Sequence, residues 1–566
     1  MAQKSSWLDS LEPLNLTTLA MPQLDIRIPF LGASTYLCKM TDELFPDGFQ
    51  IFPSNDLRLV DRPVTLAVLG CVGLCLLLIT WKIVYNLYIS PLRKIPGPPF
   101  AKITTKWITF NELAGNRSLV VAKAHEKYGP VIRLAPNELS FSDRSCIKEL
   151  YMSGSKFPKS CRYVGFASGT RASFDMTDKD QHRERRNLVR HVLAQSNIDE
   201  CEQLIADQVR KSLYWIPRVK GQSVEIMLWL RRLMLDTAGG LFLGRSFGAL
   251  ENYEPPKFLG DLDDFFAIAA LRWFAPWILA ILSILPFSAV QNFLGAQHRS
   301  YEYGRKAFNE YIVQNGRYSG RIDLLTKMVA TQVDSTQDNK SMTDAEIADE
   351  LGSLLVGATD TTVVVATWLL WELAQRPEWQ KRIRQELRQN KVEFIKGVPR
   401  YKSIKSLPIL DGFVMESMRM HPAQSIGLPR VARTSDASLG GIKVPAGTTV
   451  SLQSRNVQRD PDTYPSPQEF LPERWIETNG GTKEMKDSLI IFSKGSRACL
   501  GQYVATMELK FFVASFVNGW NLLLGKETTE ETMKQADYFL GFPKARECHV
   551  VFEKVEELAG VGLCEV

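Results

Sequence analysis

Residues 492–501, FSKGSRACLG, set Cys499 between two glycines and behind an arginine, directly ahead of the helical pattern QYVATMELKFFVASFV. A thiol at a helix N-terminus meets free N–H groups and the positive end of the helix dipole. Both favour the thiolate, the form that ligates a metal or attacks an electrophile. Arg497 can pair with an anionic group on the same ligand, and Gly495 and Gly501 let a flat group approach the backbone closely. A second candidate lies in ELGSLLVGATDTTVVVATWLLWEL, where Asp360 interrupts an apolar helical run beside Thr359, Thr361 and Thr362. Burying a carboxylate is costly and threonine is a middling helix former, so a purely structural helix rarely selects this combination. Glu416 and Arg419, in LPILDGFVMESMRMHP, are three apart and share a helix face. If exposed, that pair is nearly worthless in energy. His182 and Arg186, in DKDQHRERRNLVRHVL, are four apart and read by themselves as a solvated basic face.

Taken together, Phe492-x-x-Gly495-x-Arg497-x-Cys499-x-Gly501 resembles the haem-binding loop of the cytochrome P-450 haem-thiolate monooxygenases. The resemblance implies haem b, iron protoporphyrin IX, with Cys499 as its axial iron ligand, Arg497 on a haem propionate and Phe492 against the sulfur. Thiolate ligation pushes electron density onto the iron and favours O–O cleavage, which explains the choice of sulfur over imidazole. The same resemblance makes Glu416 and Arg419 the family's E-x-x-R pair and Arg474, in FLPERW, its second arginine, a triad that braces the core around the haem loop. It makes Asp360 and Thr361 the acid and alcohol that relay protons during oxygen activation, although Gly357-Ala358 stands where the family usually has Ala or Gly and then Gly. His182, Arg186 and Arg430, the last in GLPR, become further propionate partners.

Elements of three kinds must position these groups. The stretch 182–390 is mostly helical by its i, i+3, i+4 pattern, VIRLAPNELSF at 131–141 reads as a strand pair, and short β-prone pieces such as GIKVPAGTTVSL follow residue 427. A strand-like LIIF at 489–492 leads into the cysteine loop. The expected fold is therefore mainly α with a smaller β region, the cytochrome P-450 fold, behind one N-terminal transmembrane helix. Residues 64–81 carry no charge and are followed by Lys82, Tyr85, Tyr88, Arg93 and Lys94, an aromatic and basic border that puts the C-terminal body in the cytosol. The expected divisions are a lumenal extension at 1–63, with Asn15 as a glycosylation acceptor, a transmembrane helix and border at 64–89, a proline-rich connector at 90–99 and the catalytic body at 100–566. An uncharged run at 273–290, interrupted by Pro276 and Pro286, is expected as a surface loop dipping into lipid.

Composition sets outer limits. The net charge of +6 is too small and dispersed to argue for nucleic acid, and nine cysteines without a C-x-x-C pair argue against a disulfide framework or a zinc ribbon. The six histidines form no H-E-x-x-H pair. Absence of a dinucleotide fingerprint or a flavin domain implies electrons from a separate NADPH-cytochrome reductase, with a cytochrome b-type protein as a further donor. The pocket is expected from residues 165–175, 262–290, Leu355 to Ala358, Ala423 to Leu428 and Phe539 to Phe542. Those segments are apolar and aromatic, so they fit a hydrophobic small molecule oxidised with O2. The style of the sequence resembles filamentous-fungal enzymes of secondary metabolism, which implies a polyketide, terpenoid or alkaloid intermediate at the endoplasmic reticulum membrane. Two alternatives stay open: a reductase-independent haem-thiolate isomerase or dehydratase, and a non-enzymatic haem-binding membrane protein.

Overall fold

The computed structural model describes residues 62–555 apart from 168–170, 217–220, 253, 318 and 334–340. Asn15 and residues 1–61 lie outside the described residues. The chain divides into two compact units, residues 1–80 and 81–566. Helix α1 (Arg62–Val84) continues into a π-helical turn at Tyr85–Ile89. Its stretch Leu66–Ile89 has 24 residues with a mean hydropathy of 2.3, long and apolar enough to cross a membrane.

Within the second unit the helices that matter to the site are α2 (Lys179–Val189), α3 (Ile226–Phe242), α4 (Lys257–Phe274), α5 (Pro276–Ser283), α6 (Ser288–Asn315), α7 (Asp344–Gln375), α8 (Pro408–Met420) and α9 (Gln502–Gly519). The 32-residue α7 also passes a length and hydropathy test for a span, but 72% of its apolar window is buried, which makes it a core helix. A capping box starts it: Thr343 N–H donates to Glu346 Oε2 at 2.8 Å while Glu346 N–H donates to Thr343 Oγ1 at 3.3 Å. Helices α3 and α6 pack along α7. At Gly304 of α6 an added Cβ would stand 2.5 Å from the Gly352 nitrogen of α7, so that crossing requires glycine.

The β region is small. A four-stranded sheet joins β1 (Val131–Ala135), β2 (Glu138–Phe141), β4 (Arg430–Val431) and β5 (Thr449–Leu452) in the order β1-β2-β5-β4; β2 and β5 are parallel, with Glu138 opposite Thr449. A three-stranded sheet sets β9 (His549–Lys554) between β3 (Ser223–Glu225) and β6 (Trp520–Leu524), and β7 (Gln535–Tyr538) forms a hairpin with β8 (Leu540–Pro543). The strand pair expected at 131–141 is β1–β2, with Val131 opposite Phe141.

Two local expectations need correction. The run at 273–290 is partly helical rather than all loop: α4 ends at Phe274, the axis turns by 116°, Pro276 opens α5, and residues 284–287 connect α5 to α6. Proline at the first helical position lacks only an N–H that has no intrahelical acceptor, so it starts this helix instead of breaking it. No residue of α5 is buried, and Trp277 is 60% exposed. The LIIF segment forms no strand; a short helix at Lys483–Ser488 ends there, and Ile490 O accepts from Ser493 N at 2.8 Å in a turn.

Candidate active site

The loop after that turn owes its shape to two residues in the left-handed region, Ser493 at φ +58° and Gly495 at φ +66°. Gly495 is required here for space as well, since a Cβ would lie 2.5 Å from Tyr151 O. A 3-10 turn at Gly495–Arg497 follows, Cys499 N–H closes the loop on Phe492 O at 2.8 Å, and Gly501 caps α9. Cys499 therefore lies two residues ahead of the helix cap, with its accessible surface on a cavity. Burial pushes the Cys499 thiol up, against the pull of the Gly501 N–H and Arg186. By contrast, Gly501 is not needed for space, since a Cβ there would make only ordinary contact with Cys499 Sγ at 3.9 Å.

The cavity measures about 340 Å³ and extends from this loop to α7. At the Cys499 end its wall carries His182, Arg186, Arg430 and Arg497, and with them Lys159. Arg497 ties the loop to the start of α2, donating through Nη1 to Met176 O at 2.7 Å and through Nη2 to Asp178 O at 3.2 Å. Lys159 pairs in a β-bridge with Arg430, and its Nζ lies 4.1 Å from the Tyr163 ring centroid and 4.4 Å from that of Phe174. Among the described residues none of these five side chains forms an ion pair with a carboxylate. The consequence is electrostatic crowding. Burial and its cationic neighbours push His182 down to about 2, and burial with Arg430 and Arg186 lowers Arg497 to about 10. Lys159 is displaced well below the ordinary lysine range by burial and by repulsion from Arg430 and Arg497. Lys159 had no legible signal in the sequence, because a lone lysine before a loop is ordinarily a solvated one.

Across the cavity, α7 presents Gly357, Ala358, Thr361 and Thr362. Thr361 Oγ1 donates to Gly357 O at 2.6 Å, and a Cβ at Gly357 would enter open space, so this glycine keeps room in the cavity. Asp360 is on a different side of the helix. It is 1% exposed, forms no part of the cavity wall, and accepts from Arg231 of α3 through Nε at 2.9 Å and Nη2 at 3.0 Å. Glu508 of α9 does line the cavity; its carboxyl bonds the Thr362 side chain, and burial pushes it up to about 8. The acid nine residues after Cys499 was hidden by the apolar pattern around it.

Glu416 joins three donor side chains and also accepts from Leu471 N at 2.9 Å. Its Oε1 accepts from Arg419 Nη2 at 2.8 Å and Arg474 Nε at 3.1 Å, and its Oε2 accepts from Arg419 Nε at 2.9 Å and Trp475 Nε1 at 2.9 Å. The charges hold Glu416 below the usual carboxylate range against the upward push of burial. Trp475 is a fourth member that charge spacing alone did not show.

This donor set fits a haem. Buried and half-buried cations without ion-paired carboxylates suit an anionic guest, and two propionates would satisfy them. Cys499 presents a sulfur to the same space. Each expected pocket segment contributes to the wall, for example Phe166, Phe265, Gly357, Ala423 and Phe539, whereas residues 267–290 contribute none.

A family model described as Cytochrome P450 matches residues 95–547. The cytochrome P450 monooxygenase tazI of Aspergillus terreus is 29% identical over 484 residues, 84% of this chain and 97% of that protein. The cytochrome P450 monooxygenase stcB of Emericella nidulans is 27% identical over 485 residues, 82% of this chain and 89% of that protein. Among solved structures, the retinoic acid bound cyanobacterial CYP120A1 aligns with a TM-score of 0.62 at 20% identity, over 77% of this chain and 94% of that one, a likeness of fold.

Proposed function

Because the chain belongs to the cytochrome P450 family as a cytochrome P450 monooxygenase, we propose that it oxidises a hydrophobic intermediate of secondary metabolism, a polyketide, terpenoid or alkaloid, in the cavity above Cys499. Family membership implies an iron-haem cofactor. The observation that carries the reading is a cavity that combines an accessible thiol, cations without an ion-paired carboxylate and an aromatic wall. In it Cys499 Sγ would ligate the iron, Arg497, Arg430, Arg186 and Lys159 would neutralise the propionates, and His182 would hydrogen-bond one of them. When bound, the haem supplies dioxygen activation, with one oxygen atom inserted into the substrate and the other leaving as water.

The chain's own groups supply protons and exclude water. Thr361 Oγ1, held by Gly357 O, keeps its lone pairs available to a proton donor in the cavity. Asp360 serves the relay only after rotating away from Arg231, so the resting ion pair withholds its charge from the cavity. Helix α1 anchors the enzyme as a single pass in the endoplasmic reticulum membrane, with the catalytic unit on the cytosolic side, where an NADPH-dependent reductase donates electrons. Exposed Trp277 and Ile284 suit contact with the bilayer surface. The decisive experiment replaces Cys499 by Ala. The expected result is loss of the carbon monoxide difference band of thiolate-ligated haem, and a retained band overturns the ligand assignment.

A further inference from the structure

The far end of the cavity differs in sign from the Cys499 end. Its wall there holds Glu350 of α7, whose Oε2 accepts from Ser173 N at 2.8 Å and whose Oε1 accepts from Ser173 Oγ. Beside them Asp175 is 0% exposed, and neither of its carboxyl oxygens has a hydrogen-bond partner among the described residues. Arg185 is the nearest base to Glu350: its Nη1 forms an ion pair with Oε2 at 3.7 Å while its Nη2 bonds Glu346. Lys159 donates to Phe174 O and acts on Asp175 through its charge without a hydrogen bond to either carboxyl oxygen. Two adjacent buried carboxyls, one without a hydrogen bond and the other sharing a single guanidinium with Glu346, are costly unless one keeps a proton or the pair receives a cation. Burial and the charge of Glu350 push Asp175 up to about 7, and the charges of Lys159 and Arg171 offset that only in part.

Aromatic faces adjoin this acidic corner. Phe166 is 4.9 Å from Phe539, 5.6 Å from Phe174 and 6.1 Å from Phe265 by ring centroids, and Phe266 is 5.7 Å from Phe539. All five rings line the cavity. Phenyl faces attract cations, most strongly where water is excluded, and carboxylates behind them add to the attraction. The Lys159 ammonium, over the Tyr163 and Phe174 rings, already uses this environment.

We propose that the substrate carries a positively charged nitrogen, held between Glu350 and the phenylalanine cluster about 10 Å along α7 from Gly357. The inference rests on the reading of this cavity as the substrate site of a haem monooxygenase. It places the oxidised carbon at the opposite end of the molecule from the charge, so a basic substrate is recognised at one end and oxidised at the other.

The test is equilibrium dialysis of the full-length holoenzyme with a naphthylbutyl trimethylammonium ion and its neutral tert-butyl isostere. A quaternary nitrogen has no lone pair and cannot ligate iron. The expected result is an affinity for the ammonium about ten times that for the isostere. Glu350→Gln should reduce this preference to near unity while leaving isostere binding unchanged. Asp175→Asn, which spares the Ser173–Glu350 contacts, should reduce it in part. Equal binding of the two probes to the parent enzyme overturns the proposal, as does a preference unaltered in both variants. A preference that persists in protein with no haem spectrum upholds the cation site and counts instead against the enzyme reading.

Discussion

Arg231 holds Asp360 by two hydrogen bonds, 2.9 Å from Nε and 3.0 Å from Nη2, and the same guanidinium bonds both oxygens of Asp263 on α4 at 3.0 and 3.1 Å. Three helices are thereby joined at one cation: α3 through Arg231, α7 through Asp360 and α4 through Asp263. Burial acts to lower Arg231, but Asp360 and Asp263 outweigh it and hold the guanidinium above the ordinary arginine range. Burial pushes Asp360 up and Arg231 opposes it; with two aligned hydrogen bonds, the ionic pair is the form the geometry favours.

Removal of Arg231 should therefore destabilise the fold more than removal of the Asp360 charge. Arg231→Ala leaves the fully buried Asp360 without its hydrogen-bonded counter-ion and Asp263 with Arg546 alone, at 3.5 Å, and should cost about 3–5 kcal/mol in denaturant unfolding. Asp360→Asn preserves the side-chain shape and leaves Arg231 paired with Asp263, so its loss should be clearly smaller. Equal losses would mean that the pair contributes little beyond packing.

Thr361 should behave in the opposite way, with a small effect on stability and a large one on chemistry. Its hydroxyl faces the cavity and makes one local bond to Gly357 O. Thr361→Ala should change unfolding by no more than about 0.5 kcal/mol. Peroxide released per NADPH consumed should rise several-fold, and unchanged coupling would remove the hydroxyl from the relay.

The Glu416 cluster is buried completely, so its worth differs from that of a surface pair. Arg419 and Glu416 are both 0% exposed, and Glu416→Ala would strand two arginines and the Trp475 N–H at once. The expected cost is about 3–5 kcal/mol, accompanied by loss of haem on purification. Trp475→Phe removes one hydrogen bond to Oε2 and should cost about 1–3 kcal/mol with haem retained. A Glu416→Ala protein of parental stability would reduce the triad to decoration.

Much of this site was legible because haem ligation needs residue types at fixed short spacings. Cys499, Arg497 and Gly495 share one loop, and Glu416 and Arg419 share one helical turn. What could not be read was set by tertiary approach. Arg231 meets Asp360 across 129 residues, and Trp475 reaches Glu416 across 59. Lys159 becomes a site residue through its bridge to Arg430. The LIIF segment has the β propensity of a strand, yet the helix before it and the turn after it leave no partner edge to pair with. Residues 273–290 misled in another way, because apolar length and two prolines suggest a loop, while the position of Pro276 at a helix start permits α5.

His125 supplies a pH dependence remote from the cavity. Burial lowers it from 6.5 to about 4, against a smaller upward pull from Gly129 O at 3.0 Å. The folded state therefore resists a proton that the unfolded chain accepts. Its contribution to stability is complete above 6.5 and is lost as pH falls from there towards about 4. Between about pH 7.5 and about pH 5.5 this one group should remove about 1.3 kcal/mol, measured by denaturant unfolding. His125→Gln should flatten that part of the profile, and a parental slope in the variant would show that another group is responsible.

Glu508 should give the opposite slope. Burial raises it from 4.5 to about 8, with the Thr362 hydroxyl pulling slightly the other way. In the unfolded chain it ionises near 4.5, whereas in the folded protein it retains its proton through neutrality. Its stabilising contribution is complete below 4.5 and falls by about 1.4 kcal/mol per pH unit until the folded group ionises near 8. Glu508→Gln copies the protonated shape and does not titrate. The variant should therefore gain stability relative to the parent by about 2–3 kcal/mol as pH is raised from about 6 to about 8. Unfolding curves at those two pH values decide the matter: a constant difference would mean that Glu508 is ionised beside Thr362, placing a negative charge in the cavity wall where the fold otherwise presents a neutral acid.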